Sequence, residues 1–591
     1  MQTDVGTTPV GTRSAYPMKS MSDAFKYCKE FLESSLRDGR LSQNSRSVTI
    51  QSALGNITSK NIIAPVNIPP CPSSRLDGYA LSSLDRKERV YRVVGAQRAG
   101  SELNVAKEVS DDPTLPPRAA WVTTGAPLPS WADMVVGVED TSLAEGSTAM
   151  RCIEVHGDFL AGNGVREKGS DVASGDVLLP AGHIVTAADI GSLLMAKVFV
   201  LDVRAEPVVG IVSTGDEIAY SDGVEAGIII DGPSKVWDAN SPMLKNLLGE
   251  TCGTGVDVTE RGVCQDSYSA VLLAICTAAL WSDFVIFSGG VSMGDRDFVK
   301  PALETLVRGG LTLEVATYKD EKICCGIQVT SHDHEGYAPG KWMVGGPGTL
   351  GTACVLPGRI GFGRLSMKPG KPTTLAQLVI HGETSHHPIF LGLPGNPASA
   401  WVCGQLFAVP LAKGLQGIPW EACLPPKTQV RIWQALPLDS ERSEFHRAVA
   451  QWWGGEGGGH GGKEEGEAVV VLFPKGCIVA HSTGAQASSR LQSTLSANCL
   501  LHLPAGKAPG EILPRGSIVE AYLLSVPHTG DAAVAKGLVL QHPLEGERES
   551  EVSRPSTDCS CSSPSPHVPH KIEAPHEKPM VPCRVGILTV S

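Results

Sequence analysis

Aromatic side chains are scarce, with Phe, Tyr and Trp making up 5% of the 591 residues. No run is apolar for long: the longest nearly apolar one, Ala270 to Trp281, has 12 residues, short of the ~18 that a membrane span needs. A basic excess is missing too, since 50 Lys and Arg face 62 Asp and Glu for a net charge of −12. That balance argues against a nucleic-acid binder and a polybasic membrane-surface protein. The opening MQTDVGTTPVGTRSAYPM carries no apolar core of the kind a secretory signal has. No Cys-x-x-Cys pair occurs among the 16 cysteines, which removes the zinc-ribbon and thioredoxin readings. The cysteines sit in apolar segments such as LLAICTAAL and WVCGQLF, as buried free thiols do, so a reducing, cytoplasmic setting is expected.

What is present is a chain rich in Gly (65) and Pro (42), with 42% hydrophobic residues to build cores. At roughly 150 residues per domain, about four units are expected. Residues 1–20 read as a flexible arm. SDAFKYCKEFLESSL spaces Phe25, Cys28, Phe31, Leu32 and Leu36 as an amphipathic helix does. Residues 21–62 and 168–200, the latter containing the helical TAADIGSLLMAK, are expected to form one discontinuous helical subdomain. Short β-branched runs make 63–167 a β-rich subdomain.

From 201 to 421 continuous apolar runs end in Gly-rich loops that lead into helical segments: PVVGIVSTGDE, DFVIFSGGVSMGDRD and PIFLGLPGNPAS. That pattern predicts an α/β subdomain with a doubly wound, mostly parallel sheet, whose loops share the carboxyl edge. Residues 422–525 return to short strands and predict a terminal β-barrel-like module. Inserts are expected near 320–362 and 453–467. Residues 526–583, with eight Pro and no aromatic residue between 541 and 583, read as a disordered linker. The last eight, RVGILTVS, read as the start of a new strand.

SGGVSMGDRD offers clustered backbone N–H groups, the Ser292 hydroxyl and a helix N-terminus, all of which favour an anion. LPGNPASA does the same with Ser399, and SMKPGKPTT holds Lys368 and Lys371 between prolines. Three such loops in one sheet point to a bound phosphate or oxyanion. Carboxylates beside a phosphate site would hold Mg²⁺. Spacing alone gives Asp266 to helix capping and leaves Glu217 and Asp297 open between capping and metal. It gives Asp77, followed by Gly, to a hairpin turn. His332, His334 and the CSC at 559–561 sit in an insert and a linker and are set aside.

SSRLDGYA, TTGAPLPSWAD, STGDE, FSGGVSMGDRDFVKPAL, MKPGKPTT, LPGNPASA, SEFHRA and TGAQASSRL stand here in one order. In that order they resemble the molybdenum insertases, the family of bacterial MoeA, the gephyrin E domain and the plant Cnx-type E domain. The resemblance covers roughly residues 20–525. The closing CRVGILTVS resembles the first strand of the G domain, a molybdopterin adenylyltransferase.

The resemblance implies four subdomains, a homodimer, and a site between the sheet subdomain of one chain and the β-modules of the other. It implies molybdate and adenylylated molybdopterin as substrates, molybdenum cofactor and AMP as products, Mg²⁺ as the assisting ion, and a G-domain adenylyltransferase as upstream donor. Carried over, Ser292, Lys368, Lys371, Pro372 and Ser399 resemble the molybdate-pocket residues. Arg447 and Ser488 or Ser489 resemble further anion contacts. Asp77, Thr124, Asp171, Glu217, Asp266 and Asp297 match the family's polar site positions, with Asp297 and Glu217 as metal holders. The alternatives are adenylyl transfer itself, as in G-type relatives, and a non-catalytic dimeric scaffold of gephyrin type.

Overall fold

The computed structural model describes residues 16–38, 41, 45–100, 114–144, 151–219, 235–292, 297–318, 321–329, 342–343, 351–381, 385–454 and 476–527. All but the first two residues of the expected linker, the closing RVGILTVS, most of the arm, part of the first expected insert and nearly all of the second lie outside these residues. Among the described residues no helix is long and apolar enough to cross a membrane.

Helix α1 (Met21–Asp38) opens on a reciprocal cap. The Ser20 hydroxyl accepts from the Asp23 N–H at 3.1 Å, and the Asp23 carboxylate accepts from the Ser20 N–H at 3.3 Å. Its buried stripe is Ala24, Cys28, Phe31 and Leu32, and burying Phe31 and Leu32 contributes roughly 1.5–3 kcal/mol each. These side chains pack on the helical run that follows Pro397, against Phe407, Leu411 and Leu415. Gly414 permits the approach, because a Cβ there would meet Leu32 at 2.3 Å.

So α1 belongs to the core of the large sheet and does not pack beside the Ala187–Met195 helix. The smaller unit forms without it. Ser45–Thr49 pairs with Val200–Arg204, Ile62–Ile63 pairs with Val177–Leu179, and Val48, Ile50, Leu193, Leu201 and Val203 make its core. The β-rich module is a six-stranded sheet between Gly78 and Val155.

The large sheet has a parallel half of four strands: β1 (Val208–Thr214), β2 (Asp257–Cys264), β3 (Phe284–Ser288) and β4 (Ile389–Leu393), in the order β2-β1-β3-β4. β3 and β4 are buried along their whole length, as continuous apolar runs require. Helices cover both faces. Helix α2 (Asn240–Cys252), α1 and the run after Pro397 share one core, while α3 (Tyr268–Trp281) and α4 (Val299–Arg308) share the other.

Beyond β4 every pairing is antiparallel, through Thr374–His381, Gly351–Phe362, Leu311–Tyr318, Glu321–Val329 and Trp342–Met343. The sheet is therefore parallel only in half, because no helix crosses over between these neighbours in the described chain. Much of the first expected insert extends that far edge. Gly351–Phe362, however, lies between two other strands, so a deletion reaching Gly361 would cut the sheet. Replacing Ala316–Leu350 with an Asn-Gly turn, closed on the Val315–Gly351 pair, is expected to keep the fold. A far-UV circular dichroism spectrum that loses only the signal of the removed strands, with one cooperative unfolding transition, would agree; insoluble protein would place the edge strands in the core.

The terminal module closes on itself. Ser443–Trp452, Ile478–Ser482, Lys427–Ile432, Ile518–Leu523 and Cys499–Leu503 pair in that cyclic order as a five-stranded barrel. A sixth strand, Met367–Lys368, pairs parallel to Ser443–Trp452 from outside the module's own sequence.

Candidate functional site

The carboxyl ends of β1, β3 and β4 open into one cavity of about 810 Å³. Its lining includes Thr214, Glu217, Asp238, Asn240, Asp266, Ser288, Gly289, Gly290, Ser292, Asp297, Pro372, Asn396 and Pro397. The loops are tied together at their roots, as the Gly289 N–H donates to the Leu393 carbonyl at 3.0 Å. Gly289 has φ +92°, and a Cβ there would stand 2.7 Å from the Thr214 carbonyl oxygen, so only glycine lets β1 and β3 end side by side.

Three sequence-predicted carboxylates, Glu217, Asp266 and Asp297, meet at this cavity with Ser292 and Pro372. Asp266 does not cap α3, since the Ser267 hydroxyl does that by accepting from the Ala270 N–H. Instead the Asp266 carboxylate accepts the Asp216 N–H at 3.2 Å, and the Asp216 carboxylate accepts the Asp266 N–H at 3.1 Å. This reciprocal pair locks the β1 and β2 loops together and presents Asp266 to the cavity.

Spacing missed Asp238 and Asn240. Asp238 accepts from the Asn240 and Ser241 N–H groups at 3.1 Å each and so starts α2. Asn240 donates to the Ser288 hydroxyl at 2.7 Å and the Gly395 carbonyl at 2.8 Å, pinning two strand ends to one helix. The available signal was DANSP ahead of an apolar-periodic stretch, an Asp cap followed by Pro near the first turn.

The other predicted anion residues surround the cavity without lining it. Ser399 is buried in the short helix that Pro397 opens. Ser488 accepts from the Asn396 side chain at 3.1 Å, and its carbonyl accepts the Ala398 N–H at 3.1 Å, so the TGAQASSRL loop sits on the LPGNPAS loop. Ser489 beside it is exposed. Arg447 has no exposed surface. Its guanidinium donates to the Ser493 hydroxyl at 2.8 Å and the Ala487 carbonyl at 3.4 Å. Burial pushes its pKa down to about 10, against the pull of Glu444. These contacts let Arg447 support the TGAQASSRL loop.

Lys368 is ion-paired with Glu444 at 3.1 Å and Asp439 at 3.5 Å, while Lys371 makes no ion pair among the described residues. Lys300, at the start of α4, is 7% exposed, and its ammonium has no hydrogen-bond partner among the described residues. Burial pushes its pKa down to about 8, opposed by the charge of Asp297.

Asp77, Thr124 and Asp171 lie elsewhere, in the β-rich module. Asp77 is no hairpin residue: its carboxylate accepts the Thr124 N–H at 2.6 Å and hydroxyl at 3.0 Å. Asp171 pairs with Arg166. A separate opening of about 380 Å³ is lined by Ser74, Arg75, Thr124, Gly125, Arg166 and Asp171. Within one chain these residues do not line the first cavity.

Compared with known families, residues 20–196 match the MoeA N-terminal region (domain I and II). Residues 210–359 and 348–414 match a "Probable molybdopterin binding domain", and 467–524 match the MoeA C-terminal region (domain IV). Gephyrin of Dictyostelium discoideum is 28% identical over 537 residues, 86% of this chain. The chain spans 63% of that relative's length, under two thirds. Molybdopterin molybdenumtransferase of Nostoc sp. is 28% identical over 422 residues, 69% of this chain and 80% of that one. The crystal structure of a molybdopterin biosynthesis MoeA protein from Pyrococcus horikoshii is similar in fold. It has a TM-score of 0.58 at 21% identity, over 86% of this chain and 100% of that one. The chain thus carries the MoeA N-terminal and C-terminal regions on either side of a "Probable molybdopterin binding domain", and the sheet edge of that middle region forms the cavity.

Proposed function

We propose that the chain is a molybdopterin molybdenumtransferase, which inserts molybdate into adenylylated molybdopterin and releases AMP. The observation that carries this reading is the meeting of two anion-type loops and three carboxylates at one cavity. The name of the Nostoc relative agrees with it.

The adenylyl phosphate would lie against the loop after β3, where backbone N–H groups, Ser292 and the N-terminus of α4 favour negative charge. Molybdate, a tetrahedral dianion, would be met from the KPGKP side by Lys371 and Lys368 through charge-assisted hydrogen bonds. Glu217 and Asp297 fit Mg²⁺, which takes one or two carboxylates and completes its shell with phosphate and water. When bound, it would neutralise charge on the phosphate being cleaved. Asp266, held by its partner Asp216, would orient groups at the cavity floor.

A homodimer fits this reading. The apolar helix Ala187–Met195 buries only Leu193, and Leu194, Met195, Phe199 and Val200 beside it are each at least 44% exposed. Such a contiguous apolar face favours a partner, and a second copy would bring its Asp77, Thr124 and Asp171 to complete the site. The substrate's adenylyl group implies an upstream G-type adenylyltransferase, and the reading sets the protein in the cytoplasm.

The test is direct. With adenylylated molybdopterin, molybdate and Mg²⁺, the purified chain is expected to release AMP in a molybdate-dependent way. A chain that dimerises yet releases none would favour the scaffold reading.

A further inference from the structure

We propose that Glu444 is the positioning residue for Lys368, and that together with Asp439 it weakens oxyanion capture there while fixing the aim of the ammonium group. This rests on the reading above that Lys368 meets a molybdate-type oxyanion.

Lys368 belongs to the two-residue strand that pairs with the barrel, and its cross-strand partner is Glu444. Side by side on adjacent strands, the two side chains meet with Nζ 3.1 Å from Glu444 Oε2, and Asp439 Oδ2 stands 3.5 Å away. Neither carboxylate is free to swing. Glu444 is 5% exposed, and its other oxygen meets His446 Nδ1 at 2.9 Å. His446 Nε2 in turn meets the Ser482 hydroxyl at 2.7 Å, and that hydroxyl accepts the Gly484 N–H at 3.1 Å.

Asp439 is held by the N–H groups of Glu441 and Arg442, both at 3.0 Å. Arg442 faces Asp439 at 3.7 Å and donates to the Met367 carbonyl at 3.3 Å, bracing the lysine strand itself. Burial works against the charge of Glu444, yet its His446 and Lys368 contacts keep the carboxyl below its usual range. Burial also lowers the pKa of His446, which favours the neutral ring.

Two fixed carboxylates therefore surround one ammonium, with Arg442 turned to Asp439 and the backbone. An oxyanion arriving at Lys368 meets a cation already engaged, and must share it with anions that cannot leave. Its ground-state hold is weakened by that competition. The same contacts stop the flexible lysine from sampling other rotamers, so the ammonium is in place when charge develops on the reacting oxygens. Binding spared in the ground state and available in the transition state is what raises turnover. The carboxylates touch no substrate and act through Lys368.

Charge and reach can be separated by substitution. Glu444→Gln keeps the shape and removes the charge, while Glu444→Asp keeps the charge and withdraws it from Lys368. Equilibrium dialysis of molybdate alone against the full chain is expected to give severalfold tighter binding for Glu444→Gln, and for Asp439→Asn at the less buried partner. Glu444→Asp should bind as wild type does. In the AMP-release assay both Glu444 variants should lose about tenfold in kcat, with KM for molybdate falling only in Glu444→Gln.

Unchanged or weaker molybdate binding in both charge-removing variants overturns the proposal. So does a fall in kcat with a rise in KM, which is general damage. A wild-type chain that binds molybdate but releases no AMP defeats the functional reading alone, and the dialysis still decides this one.

Discussion

Asp297→Asn is expected to lower molybdate-dependent AMP release by about 100-fold or more, with the folded structure intact. Asn keeps the size and most of the hydrogen-bonding capacity of Asp, so the loss would report the charge. Asp297 lines the cavity just ahead of α4, where a structural carboxylate would serve merely to favour the helix N-terminus, worth roughly 0.3–1 kcal/mol. The two roles thus differ in both observable and size. A capping role predicts a slightly lower melting temperature and near-normal kcat; a role in charge control at the phosphate predicts the reverse. AMP release within threefold of wild type would remove Asp297 from the site.

Lys300→Met is expected to be more stable than wild type at pH 7, by about 3 kcal/mol. The Lys300 ammonium is buried with no hydrogen-bond partner among the described residues, and its pKa falls from 10.5 to about 8 on folding. Between those values the unfolded chain binds more protons than the folded one, so wild-type stability rises with pH across this window. The penalty is fully present below pH 8 and gone above about pH 10.5. Met fills the same space and needs no solvation. The stability difference, measured by urea unfolding, should therefore shrink steadily from pH 8 to pH 10.5. A difference independent of pH would mean that the gain comes from packing alone.

The sequence carried much of this in plain form. The parallel half of the sheet was legible because β1, β3 and β4 are continuous apolar runs that end in glycine-rich loops. The convergence of Glu217, Ser292 and Asp297 followed from the rule that parallel strands share a carboxyl edge. The partner of α1 was not legible, since its stripe specifies an apolar surface and not which one. In the fold α1 packs on the helix run after Pro397, where Gly414 lets Leu32 approach. The antiparallel half was hidden because its strands lie partly in sequence that read as insertion. Asp266 deceived spacing because its neighbour Ser267 takes the cap, a choice of one residue that pattern alone does not resolve. The Lys368–Glu444 pair depends on a strand from one module joining the barrel of another, and no local pattern announces it.

That strand has a kinetic meaning. Met367 and Lys368 pair with a barrel strand, while the cavity lined by Pro372 of the same loop is built on the α/β sheet. The lysine loop should thus open and close with the barrel's local unfolding, on the barrel's clock. Anything that loosens the barrel, however remote from the cavity, would withdraw the cation while leaving the phosphate loops in place.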